Sequence, residues 1–163
     1  MVRRKYRYLL CEIVLENGQN FDMNNAGYFL SKIIKKAVQL YHGDYGAAMS
    51  NRLSVKYLNP RTNMLLVQTM RSCHLMVMSA MSFIKTIGQH NGFFRTLHVG
   101  GTIRSCQKFL IKYHRKEIQQ ALRQCRSDEE TKIVQDTLIA ACAKMEKIET
   151  EDFSIDDIMG ENG

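Results

Sequence analysis

The chain has 163 residues, 45% of them hydrophobic and 24% charged, enough for one domain that buries about two-thirds of its unfolded surface. Its charge is unevenly placed: residues 1–125 hold 19 Lys and Arg against 5 Asp and Glu, whereas residues 126–163 hold 4 against 11. A body this basic implies a polyanionic partner, most often nucleic acid or an anionic membrane face. No apolar run approaches the roughly 20 residues of a membrane span and no apolar segment follows the N-terminal cations, so a cytosolic or nuclear protein is expected. The five cysteines, Cys11, Cys73, Cys106, Cys125 and Cys142, are odd in number and form no C-x-x-C pair, which fits reduced thiols packed among apolar residues.

In chain order, residues 1–7 form a basic arm in which Arg3, Arg4, Lys5 and Arg7 surround Tyr6. Tyr8 to Leu15 alternates, with Leu9, Cys11, Ile13 and Leu15 on one side, and predicts a strand. From an Asn24 or Asn25 cap to His42, the positions Ala26, Leu30, Ile33, Ile34, Ala37, Val38 and Tyr41 trace one helical face, and Gly43 is placed to end it. Lys32, Lys35 and Lys36 make the opposite face, which fits both a solvated surface and a binding surface. Asp44 to Asn51 has room for a short second helix.

Leu53 to Leu58 and Met64 to Met70 predict a hairpin around the turn formers of residues 59–63. Ser72 is placed to cap a helix running to Ile87, apolar nearly all round, so that it is either buried on most sides or covers the core while also facing another subunit; Leu75, Met76, Met78 and Phe83 are its candidate protein-interface residues. Phe93 to Val99 is the last predicted strand. Strand, helix, strand, strand, helix, strand predicts an α+β, ferredoxin-like or RNA-recognition-motif-like α/β sandwich, a four-stranded antiparallel sheet with covering helices and extra C-terminal helices. The predicted domains are the arm at 1–7, the sandwich at 8–125, an amphipathic helix at 126–149 and an acidic, disordered tail at 150–163. Within 126–149, Ser127 and Glu130 make a capping box, and Val134, Leu138, Ala141, Met145 and Ile148 recur at spacings of four and three.

The stretch from Phe93 to Lys116 carries the densest signal. Gly100-Gly101 permits a tight turn and close approach of a ligand, and the helix that follows begins with amides lacking intrahelical acceptors, an end that attracts anions. Arg104, Lys108, Lys112 and Arg115, spaced four, four and three, form one stripe from that end. A tight connection followed by a solvated helix face is the plainer reading of the same residues.

TLHVGGTIRSCQKFLIKYHR, with MVRRKYRYLLCEIV at the start and SVKYLNPRT in the middle, closely resembles the Pop-five family of eukaryotic ribonuclease P and MRP protein subunits. The match runs in order from about Met1 to about Cys125 and not beyond. It implies an RNA-recognition-motif-like sandwich and a non-catalytic subunit of ribonuclease P, whose RNA and its Mg²⁺ remove the 5′ leader of precursor tRNA, and of MRP in ribosomal RNA processing. It implies as partners the two catalytic RNAs, a TIM-barrel-like protein, a paralogous sandwich subunit and, indirectly, precursor tRNA, with no membrane, in the nucleus and nucleolus.

The residues fit that expectation without a catalytic centre of their own. Glu12, Glu16, Asp22, Asp44 and Glu117, the only carboxylates before residue 125, share no site by spacing, and the five histidines are scattered, so no metal or other cofactor is expected on the protein itself. The strand MLLVQTM lacks the aromatics on which an RNA-recognition motif stacks bases, so phosphate and shape contacts are expected instead. The candidate contacts are Arg3, Arg4, Lys5, Arg7, Gly100, Gly101, Thr102, Arg104, Lys108, Lys112 and Arg115, with Tyr6 and Tyr8 open to stacking or to packing. A free-standing single-strand RNA-binding module and a scaffold without direct RNA contact remain as other classes.

Overall fold

A computed structural model describes residues 5–16 and 26–124. Two compact units divide the chain, Met1–Thr102 and Ile103–Gly163.

The first unit is a sheet with helices. β1 (Tyr6–Leu15) begins two residues earlier than its alternation suggests and takes in Arg7 of the expected arm. It is central, pairing antiparallel with β3 (Met64–Met70) on one side and β5 (His90–Gly100) on the other. With β2 (Ser54–Asn59) beyond β3 and a two-residue β4 (Thr86–Ile87) beyond β5, the order is β2-β3-β1-β5-β4. The sheet therefore has five strands rather than the expected four, and its four long strands keep the ferredoxin-like order.

α1 (Ala26–Ser50) buries Leu30, Ile34 and Val38, and α2 (His74–Ser82) buries Val77, Ala80 and Met81. These meet Leu9, Cys11, Ile13, Leu65 and Val67 in one core. Each fully buried aliphatic side chain there contributes about 1.5–3 kcal/mol. Gly43, at φ 62° and ψ −158°, interrupts α1, so the helix ends and restarts where the sequence places a stop and a second short helix. The β2–β3 turn is held by Asn59 Oδ1 accepting from the Arg61 amide at 3.0 Å, and Asn63 supplies the left-handed residue at φ 53°.

α2 is shorter than expected. Cys73 occupies the cap position in place of Ser72, without a side-chain capping bond, and the helix stops at Ser82 instead of Ile87. The residues after it turn back so that Thr86 and Ile87 pair with Asn91 and His90, using Gly88 at φ +69°. β5 is correspondingly longer than Phe93 to Val99. A register shift between Leu10 and Cys11 lets Leu10 face His98 and Cys11 face Thr96.

The second unit contributes one described helix, α3 (Ile103–Gln124). The helix expected at 126–149 and the tail expected at 150–163 lie outside the described residues. Among the described residues no helix is long and apolar enough to cross a membrane.

Candidate nucleic-acid interface

Strand register gathers the first candidate residues at one end of the sheet. Tyr8 pairs with Gly100, which brings the start of β1 to the glycine turn. Arg7 Nη1 donates to Tyr6 O at 3.2 Å, and a methyl group added at Gly101 would lie 3.5 Å from that same nitrogen. Lys5, Gly101 and Thr102 are exposed, whereas Gly100 is buried in the strand pairing. Arg3 and Arg4 lie outside the described residues.

Arg71 joins this end, a residue that sequence reasoning missed. Its amide donates to Lys5 O at 2.9 Å, and its side chain is exposed. A lone arginine after a strand carries no periodic signal; only the β1–β3 register places it beside the arm.

Charge is segregated along the sheet. Glu12 and Glu16 sit at the other end of β1, where Arg95 Nε donates to Glu12 at 2.9 Å and Asn91 Nδ2 to Glu16 at 2.9 Å. The third described carboxylate of this unit, Asp44, follows the Gly43 interruption. The end formed by Lys5, Arg7 and Arg71 therefore keeps its positive potential among the described residues.

α3, taken by itself, has two faces. Arg104, Lys108, Lys112 and Arg115 are all exposed, while Ile103, Cys106, Gln107, Leu110 and His114 are buried. At 3.6 residues per turn the centres of the two stripes lie roughly 140° apart. The four cations therefore share one exposed face of the helix. No acidic residue occupies the first turn, which leaves the positive end of the helix dipole uncompensated there.

The tyrosines divide. Tyr8 accepts a hydrogen bond from Gln68 Nε2 at 3.4 Å, and Gln68 Oε1 accepts from Ser54 Oγ at 3.3 Å, so Tyr8 is tied into the sheet; Tyr6 is half-buried. Two of the described histidines are tied to neighbouring groups: His42 Nε2 is 2.8 Å from Ser79 Oγ, and His74 Nδ1 is 2.7 Å from Arg71 O. Among the described residues no three His, Cys, Asp or Glu side chains come together as metal ligands, and Cys11, Cys73 and Cys106 are buried.

The expected protein interface is part surface and part core. Leu75 is 67% exposed and Phe83 56%, but Met76 and Met78 pack partly against the core. Sequence reasoning missed the contribution of α1. Tyr41, assigned by periodicity to the core face, is 47% exposed and packs with its ring tilted 35° against Phe83, at 4.7 Å between ring centroids. With Phe29, Ile33, Leu40 and the cations Lys36 and Lys85 they line an open groove of about 800 Å³.

Comparison with known proteins adds an independent line. The sequence model described as the Rpp14/Pop5 family matches residues 7–111. The chain is 38% identical to "Ribonuclease P/MRP protein subunit POP5" of Danio rerio, covering 96% of each chain. It is 37% identical to the protein of the same name from Homo sapiens, over 92% of this chain and 94% of that one. A chain in a cryo-EM structure of yeast ribonuclease MRP is similar with a TM-score of 0.46 at 12% identity, covering 77% of this chain and 99% of that chain.

Proposed function

The chain belongs to the Rpp14/Pop5 family, and on that premise we propose that it is a protein subunit of ribonuclease P and MRP that binds and stabilises their RNA without performing the cleavage itself. The observation that carries the RNA-binding part is the α3 stripe, four exposed cations set against a buried face. Arg104, Lys108, Lys112 and Arg115 would each neutralise a phosphate, and Gly101 and Thr102, exposed where Gly100 is buried in the strand pairing, would present backbone amides to it. Lys5 and Arg7, with Arg3 and Arg4 before them in sequence, would make phosphate contacts of their own at the sheet end.

In this reading the protein lowers the repulsion between RNA segments and holds them in a productive arrangement. Mg²⁺ is held by the RNA, which supplies the chemistry of leader removal from precursor tRNA, and the second particle acts on ribosomal RNA, both in the nucleus and nucleolus. The absence of aromatics from β3 favours contacts to phosphate and RNA shape over base stacking. Leu75 and Phe83, with the groove beside them, would dock the protein partners, a TIM-barrel-like subunit and a paralogous sandwich subunit.

The test is purification of the tagged protein from its own cells at mild salt, sequencing of the associated RNA and assay on precursor tRNA. One or two abundant structured RNAs with leader-removing activity are expected; diverse messages, or proteins alone, would refute the reading. In binding assays with the purified ribonuclease P RNA, Arg104→Ala with Lys108→Ala should flatten the salt dependence by about 0.7–0.9 log units per lost contact.

A further inference from the structure

We propose that the RNA-contacting surface runs across the end of the sheet through Arg71 and, beyond it, Arg52, and that both bind phosphates of a structured RNA. The inference rests on the RNA-binding reading and extends it to a face built by different elements.

Register sets the row. Arg71 follows the Tyr6–Met70 pair, and its amide donates to Lys5 O at 2.9 Å, so Arg71 and Lys5 leave neighbouring strands at the same end. Ser54 pairs with Gln68, which places Arg52, two residues before Ser54, on the far side of Arg71. The sequence across the end is Arg52, Arg71, Lys5, then Arg7 beside Gly101. These cations belong to three neighbouring strands, so at about 4.8 Å between strands their row is roughly 10 Å wide.

The row is exposed and uncompensated. Arg52, Arg71 and Lys5 are exposed and form no ion pair among the described residues. Glu12 and Glu16 lie at the opposite end of β1 with Arg95 and Asn91 as partners. Cations gathered this closely repel one another, and a polyanion relieves that repulsion while releasing its counterions.

The turns beneath the row are already ordered. Arg71 O accepts from His74 Nδ1 at 2.7 Å, and the Cys73 amide donates to Met70 O at 3.1 Å. On the neighbouring turn, the Leu53 amide donates to Ser50 O at 2.9 Å and Lys35 Nζ donates to Asn51 O at 2.8 Å. Binding would therefore order side chains and little backbone. Arginine suits the role because its planar fork meets two phosphate oxygens at once. All the side chains of the row are cationic, so the ligand class is the sugar–phosphate backbone.

The test measures the salt dependence of full-length protein binding to in-vitro-transcribed ribonuclease P RNA. Wild type is compared with Arg52→Gln/Arg71→Gln, Arg52→Lys/Arg71→Lys and Arg104→Ala/Lys108→Ala. The Gln pair is expected to flatten the slope by about 0.7–0.9 log units per arginine, and the Lys pair to keep it. An unchanged slope in the Gln pair, with a flattened slope in the α3 pair, overturns this inference and leaves the RNA-binding reading standing. A salt-independent wild type overturns both. If the Lys pair flattens the slope as far as the Gln pair, the effect belongs to the fold rather than the charge, and the inference falls.

Discussion

At the scale of single residues, two glycines on β5 and its turn have opposite reasons to be there. A Cβ at Gly92 would sit 2.6 Å from Val14 O and 2.8 Å from Leu15 Cδ2, so the β1–β5 register depends on its absence. Gly92→Ala is expected to destabilise the protein by about 1–3 kcal/mol in urea denaturation, the usual cost of overpacking. At Gly101 the nearest atom to an added Cβ is Arg7 Nη1 at 3.5 Å, an ordinary contact. Gly101→Ala should therefore leave the denaturation midpoint unchanged while weakening RNA binding, if the turn approaches a phosphate closely. A Gly101→Ala protein that binds RNA with wild-type affinity would remove the turn from the site and leave its glycine a matter of chain geometry.

At the scale of elements, α2 separates surface from core within a few residues. Leu75 is 67% exposed, whereas Val77, two residues on, is fully buried, as is Leu30 of α1. Leu75→Ser should change stability by no more than about 0.5 kcal/mol, against about 2–5 kcal/mol for Leu30→Ala, measured by thermal or chemical denaturation. If the apolar surface docks a protein subunit, Leu75→Ser with Phe83→Ser should release that subunit from the purified particle while the folded chain persists. Retention of every protein subunit would show that this surface serves no interface.

The same elements show what was legible in the sequence. Alternation revealed β1 because Leu9, Cys11, Ile13 and Leu15 all point into one core, and Gly43 marked the break in α1 because few other residues take its conformation. The end of α2 was not legible. Phe83, Ile84 and Ile87 continue a helical apolar pattern, yet Ile84 and Ile87 are buried from a turn and a two-residue strand, too short to alternate. The α3 stripe could be read because its spacing is helical, and it is exposed as a set. Arg52 and Arg71 could not, since each is a single cation in a turn and only strand pairing, a long-range property, makes them neighbours of Lys5.

At the scale of the whole molecule, the contrast between a basic body and an acidic C-terminal segment raises the question of whether net charge or local placement governs RNA binding. Residues 150–163 contain five carboxylates and no Lys or Arg, in a chain with a formal charge of +7. Net charge acts over distance, and at physiological ionic strength that action fades over about 8 Å. Phosphate contacts act through direct pairing and counterion release, so the number of contacts sets the salt slope. Deleting residues 150–163 makes the protein more positive without adding a contact, and it should leave both the affinity and the salt slope for ribonuclease P RNA unchanged near physiological salt. A steeper slope in the truncated protein would mean that the tail occupies cations that RNA otherwise reaches, and a large loss of affinity would mean that the tail itself belongs to the binding surface.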